Sequence, residues 1–91
     1  MSVRRTLTIV NRRGLHARAS RKLAELALSY EATRIVVRHD EDEADARSLM
    51  DLMMLGAGVG EEVEVETRGP EAEPAMEAVA ALIAARFHED E

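Results

Sequence analysis

Apolar and polar residues alternate along residues 3–10 (VRRTLTIV), which predicts a strand with Leu7 and Ile9 facing inward. Asn11–Gly14 follows as a turn. From Ala17 to Ser29 the period changes: Ala19, Leu23, Leu26, Ala27 and Tyr30 fall at helical spacing and form one buried stripe. Arg34–Arg38 reads as a short strand around the β-branched Ile35, Val36 and Val37. Asp40–Asp45 (DEDEAD) is a turn with a weak edge strand, where charge discourages pairing with other chains. The pattern then predicts a helix over Arg47–Leu55, ended by Gly56. Glu62–Thr67 sends glutamate outward and Val63, Val65 and Thr67 inward, as a half-buried antiparallel strand does. A last helix is predicted over Glu71–Phe87. Pro74 is tolerable only in its first turn, and Met76, Val79, Ala80, Ile83 and Phe87 form its core stripe.

The predicted order is β-α-β-(β)-α-β-α. Three or four short strands are too few to bury both faces of a parallel sheet. The expected class is therefore α+β, a small antiparallel sheet with the helices packed on one face. Ninety-one residues are expected to form a single domain, residues 1–91, with one modest core. Such a domain has little volume for a deep substrate cavity. This favours a carrier or adaptor over a stand-alone enzyme.

Composition narrows the function further. There is no cysteine, so disulfide and thiolate chemistry are excluded. The first residues lack the apolar run of a signal peptide and no segment reaches the length of a membrane span, so a cytoplasmic location is expected. The net charge of −6 is unevenly spread. Residues 1–38 hold nine Arg or Lys against Glu25 and Glu31, whereas the remainder holds three against sixteen acidic side chains. Either the surface is simply solvated, or the basic half faces something anionic. Nucleic acid fits poorly, given the negative total and only Tyr30 and Phe87 for stacking.

The chemistry-bearing stretch is Asn11-Arg12-Arg13-Gly14-Leu15-His16-Ala17-Arg18-Ala19-Ser20, at the junction of the first turn and first helix. A lone histidine at a helix start is most often a surface residue or a cap. Three features weigh against that here. Free amides and the helix dipole favour an anion at a helix N-terminus. Arg18 can offer a charge-assisted fork to phosphate oxygens. Gly14 permits the tight turn that lets an imidazole overhang those amides. Imidazole is a competent nucleophile near neutral pH. A phosphoryl group on His16 would meet donors already arranged for it.

Asn11-x-x-Gly14-Leu15-His16-Ala17-Arg18 resembles the active-site stretch of HPr, the histidine-containing phosphocarrier family of the bacterial phosphoenolpyruvate phosphotransferase system. Ser48–Gly56 (SLMDLMMLG) is similar to the family's regulatory-serine helix, Gly60–Thr67 to its last strand, and the likeness spans essentially the whole chain. The resemblance implies an open-faced β-sandwich with three helices. It implies that His16 takes phosphate on Nδ1 from Enzyme I and passes it to a IIA-type protein, with Arg18 stabilising the phosphate. Ser48 becomes the target of a possible HPr kinase/phosphorylase. No cofactor is implied, and a monomer is expected. The chain departs from the family at Ala19, where many members have proline, and at the acidic Glu41–Asp45. The ARAS and LMML patterns resemble the nitrogen-related branch more than the sugar-transport branch.

The helix after Ser48 is apolar nearly all round. Leu52 and Leu55 are its core choices, leaving Leu49, Met50 and Met53 either as an exposed docking patch or as core gap-fillers. With Ala17, these residues are the candidate binding positions. Gly56-x-Gly58-x-Gly60 follows a helix and precedes a strand, the reverse of a nucleotide loop, and reads as a turn. His39 and His88 show no ligand spacing, so no metal site is expected, and the HEDE tail reads as solvated. Two alternatives to the phosphocarrier stay open: a regulatory module of the same fold with a vestigial histidine, and an Arg-faced nucleic-acid binder.

Overall fold

The computed structural model describes residues 1–90. Its elements run β1 (Ser2–Thr8), α1 (Ala17–Ser29), β2 (Arg34–His39), β3 (Asp42–Asp45), α2 (Leu49–Met54), β4 (Glu62–Arg68) and α3 (Ala72–Ala84), followed by a tight 3-10 turn over Arg86–His88. The strands form one antiparallel sheet in the order β1-β4-β2-β3. The strand pleat sends Ile35, Val37, Val63, Val65 and Thr67 to one face, where all are buried. There α3 packs on β1 and β4, and α1 packs against both α2 and α3. Leu23, Leu52, Met76, Val79 and Phe87 complete the core, each at 1% exposure or less. Among the described residues the opposite face carries no helix. This is the expected α+β open-faced sandwich.

The helical stripe of α1 ends where its spacing predicts, although Leu26 and Tyr30 are only partly buried. Elsewhere the structure corrects the sequence reading. β1 stops at Thr8, and Ile9, just past it, is fully buried while its backbone bonds Glu61 and Gly60. The second helix is shorter than Arg47–Leu55, because Ser48 caps it: the Ser48 hydroxyl accepts from the Asp51 amide at 3.2 Å.

The last helix ends at Ala84 rather than Phe87. Arg86, Phe87 and His88 follow with φ of 57°, 54° and 61°, a left-handed run that costs L-residues roughly 1–2 kcal/mol each. Burial of the Phe87 ring offsets part of that cost, and the Lys22 ammonium donates to the Phe87 carbonyl. The turn sends the chain back across the start of α1.

Glu66 is the other correction. Alternation points it outward, yet it is 1% exposed. On the open face it accepts from Arg68 at 2.7 and 3.2 Å and from the Ser2 hydroxyl at 3.0 Å, and it pairs with Arg38 at 2.9 Å and Arg4 at 3.5 Å. The Arg68 hydrogen bonds lead in holding its carboxyl down to about 2, against the opposing effect of burial. A buried carboxylate is tolerated here because cations surround it.

Candidate functional site

The site begins at Gly14. Its φ is +64°, and a Cβ there would lie 2.4 Å from the Ala57 carbonyl oxygen and 2.9 Å from Gly58 Cα. The Leu15 amide donates to that same carbonyl at 3.0 Å. The turn is therefore pressed onto residues 57–58, an approach that only glycine permits. Leu15 is buried and anchors the turn from below. The Ser20 hydroxyl, fully buried, donates to the Leu15 carbonyl at 3.0 Å.

His16 caps α1. Its backbone is extended (φ −74°, ψ −177°), its carbonyl accepts from the Ser20 amide at 2.9 Å, and its Nδ1 accepts from the Arg18 amide at 3.4 Å. Nδ1 thus overlooks the first-turn amides and the positive end of the helix dipole. The other ring nitrogen, Nε2, lies 2.6 Å from Glu89 Oε2. A carboxylate only accepts, so Nε2 carries the hydrogen and Nδ1 keeps its lone pair. The side chains of His16 and Glu89 are 16% and 10% exposed, which limits competition from water.

Asn11 ties the tail down. Its amide nitrogen donates to the Gly14 carbonyl at 2.8 Å and to Glu89 Oε1 at 3.2 Å. Pointing both hydrogens at these acceptors leaves Asn11 Oδ1 buried with no partner among the described residues, a cost of roughly 1–3 kcal/mol. Burial pushes the Glu89 carboxyl up. The hydrogen bonds from His16 and Asn11, with the Lys22 charge nearby, outweigh that and hold it below the usual carboxylate range. Glu89 is therefore ionised at neutral pH.

Arg18 is exposed, and with Arg13, Glu89 and Asp90 it lines a cleft of about 220 Å³. Ala17, at the first helical position, is also exposed and puts no bulk over the amides. The arrangement offers a nucleophilic nitrogen, backbone donors and guanidinium charge on one surface. That set can accept a tetrahedral dianion.

The second cluster lies on α2, the helix neighbouring α1. Leu52 and Leu55 are buried, whereas Leu49, Met50 and Met53 are 37%, 67% and 40% exposed, with Met54 beside them at 76%. These apolar side chains face solvent rather than filling core gaps. Ser48 sits half-buried at the helix start.

Sequence reasoning missed Glu89, the Asn11 clamp and Met54. The HEDE tail is not uniformly solvated: His88 is exposed, but Glu89 is inserted against His16. His39 is remote from this chemistry. It is buried, donates from Nδ1 to the Leu55 carbonyl at 2.8 Å and approaches Glu61 at 3.4 Å. Among the described residues no three His, Cys, Asp or Glu side chains are grouped to hold a metal.

Comparison with known proteins concerns the chain as a whole. Residues 3–85 match the family model described as PTS HPr component phosphorylation site. The chain is 46% identical to phosphocarrier protein HPr of Cupriavidus necator over 98% of its length and 99% of that protein's. It is 43% identical to phosphocarrier protein NPr of Escherichia coli, covering 99% of this chain and 100% of that one. Among solved structures, HPr-C-His from Thermoanaerobacter tengcongensis superposes with a TM-score of 0.91 at 31% identity, covering 98% of this chain and 99% of that one.

Proposed function

Because the chain belongs to the HPr family of phosphotransferase-system phosphocarriers, we propose that it is a single-domain carrier whose His16 Nδ1 takes a phosphoryl group from Enzyme I and gives it to a IIA-type protein. The observation that carries this reading is the ring's placement. Nδ1 holds its lone pair over the N-terminus of α1, with Nε2 committed to Glu89. The phosphoryl group comes ultimately from phosphoenolpyruvate. Arg18 supplies charge to it, and the Ala17 and Arg18 amides supply hydrogen bonds. The chain works as a cytoplasmic monomer in a nitrogen-type regulatory system, a reading supported by the ARAS and LMML patterns and by the NPr relative. Among the described residues no helix is long and apolar enough to cross a membrane. The test is labelled phosphoenolpyruvate with Enzyme I, followed by transfer to a IIA-type protein. Acid-labile, base-stable label is expected; an Enzyme I that phosphorylates itself but not this chain would overturn the reading.

Leu49, Met50 and Met53 form the docking patch shared by donor and acceptor, since exposed methionine repacks against different partners at low cost. Met50→Glu is expected to weaken binding to Enzyme I by at least about tenfold, because docking would strand a charge in an apolar contact. Its melting temperature should stay within a few degrees of the parent, given 67% exposure. Isothermal titration and a thermal melt check both statements. Loss of the fold would place Met50 in the core instead.

Ser48 is the site for an HPr kinase/phosphorylase. A phosphate of about −1.5 to −2 at a helix N-cap suits the helix and leaves the fold standing. The same charge beside Leu49 and Met50 opposes docking, and Asp51 adds a like charge one turn on. Ser48→Asp should therefore lower the transfer rate from Enzyme I several-fold while circular dichroism shows an intact melt. Unchanged transfer would remove the switch.

A further inference from the structure

We propose, building on the reading of His16 as the phosphorylated residue, that Glu89 is a positioning residue whose carboxylate holds the proton on His16 Nε2 throughout phosphoryl transfer. In that cycle the Nδ1 lone pair attacks phosphorus and an N–P bond forms. The bond from phosphorus to the donor's leaving atom breaks, and its electron pair goes to the donor. No proton leaves the ring. The product is a phosphoimidazolium whose positive charge faces the Glu89 carboxylate across the 2.6 Å contact. On donation, phosphorus bonds to the acceptor's nucleophile and the N–P electron pair returns to Nδ1. A ring that is cationic while phosphorylated is a better leaving group than a neutral one, so holding this proton keeps the phosphoryl group mobile.

Several independent features converge on Glu89. The left-handed run at Arg86–His88 turns the chain so that residue 89 meets the ring. Asn11 grips the second carboxylate oxygen and leaves its own carbonyl unpaired among the described residues in doing so. Glu89 is nearly buried against His16, unlike its neighbours His88 and Asp90, which are exposed. The other charged groups around the site are Arg12 and Arg13 in the turn, Arg18 and Lys22 on α1, and Asp90 in the tail. Arg13, Arg18 and Asp90 line the cleft at the side of the carboxylate, and Lys22 is held on the Phe87 carbonyl. The hydrogen bond to Nε2 belongs to Glu89.

Proton NMR on the whole chain, unphosphorylated and phosphorylated, tests the assignment with two substitutions. The parent should show a low-field Nε2–H resonance that exchanges slowly with solvent. Glu89→Ala should lose it, whereas Glu89→Gln, whose amide carbonyl still accepts, should keep it. In the phosphorylated chain, Glu89→Gln should speed the exchange of Nε2–H with solvent about tenfold, as expected on removing an adjacent opposite charge. It should also slow uptake from Enzyme I about tenfold, as expected on losing the charge that faces the phosphoimidazolium. A resonance that survives in Glu89→Ala, or an exchange rate and an uptake rate unchanged in Glu89→Gln, overturns the proposal. A purely packing role for Glu89 would move neither rate in the isosteric Glu89→Gln. The resonance is read without any phosphoryl transfer, so a parent that shows it yet takes up no phosphate would fail the reading of His16 and not that of Glu89.

Discussion

A His16→Ala protein is expected to incorporate no phosphoryl group from Enzyme I under conditions that label the parent fully. The chain has two other histidines, and neither can substitute. His39 is 8% exposed with Nδ1 spent on the Leu55 carbonyl. His88 is exposed, but it sits in a left-handed turn after α3, where no first-turn amides wait for an anion. The fold should survive, because the cap that His16 provides is a long 3.4 Å bond and caps contribute about 0.5–2 kcal/mol. The measurement is acid-labile label retained on the chain beside a thermal melt. Label persisting in the folded variant would move the phosphorylated residue elsewhere.

Arg18→Ala carries the second-largest expected effect, a fall in transfer rate of roughly 10²-fold with an unchanged fold. Losing one preorganised charge stabiliser costs on this order. The side chain is exposed, so its removal opens no cavity in the core. The backbone amide of residue 18, which addresses Nδ1, remains in the alanine variant. What is lost is the guanidinium alone. Arg18→Lys should recover part of the rate, since lysine restores charge without the planar fork. Single-turnover transfer from phosphorylated Enzyme I would measure both, and a drop below about threefold for alanine would make Arg18 incidental.

Local periodicity made much of the frame readable. The α1 stripe carries its own bounds, because Ala19, Leu23 and Ala27 repeat at helical spacing and are all buried. The valine alternation of β4 identifies its inner face in the same way. What local pattern could not show depends on partners distant in the chain. Glu66 alternates like its solvent-facing neighbours, but Arg38 reaches it from β2 and Arg4 from β1. Arg86-Phe87-His88 contains no glycine or asparagine to signal a left-handed turn, so the helical stripe runs on through Phe87. Glu89 reads as one more acid in a charged tail, because Asn11 and His16 lie at the other end of the sequence. Asn11 and Gly14 stood in the motif already, but the clamp that each forms needs residues 57 and 89 to be seen.

The strand order has a consequence for how the molecule is made. β4 is the last of the described strands to be synthesised, yet it lies between β1 and β2, pairing Ser2 with Arg68 on one side and Arg34 with Arg68 on the other. Until residues 62–68 emerge, β1 has no neighbour in the sheet, whereas α1, α2 and the β2–β3 hairpin can form from local contacts. Closing so long a loop before any sheet contact repays it slows folding, as in other topologies built on distant pairings. The histidine waits longer still: its hydrogen bond to Glu89 spans 73 positions and closes only after residue 89 has emerged. A nascent or prematurely terminated chain can display His16 and Arg18, but it cannot hold the ring in its paired form.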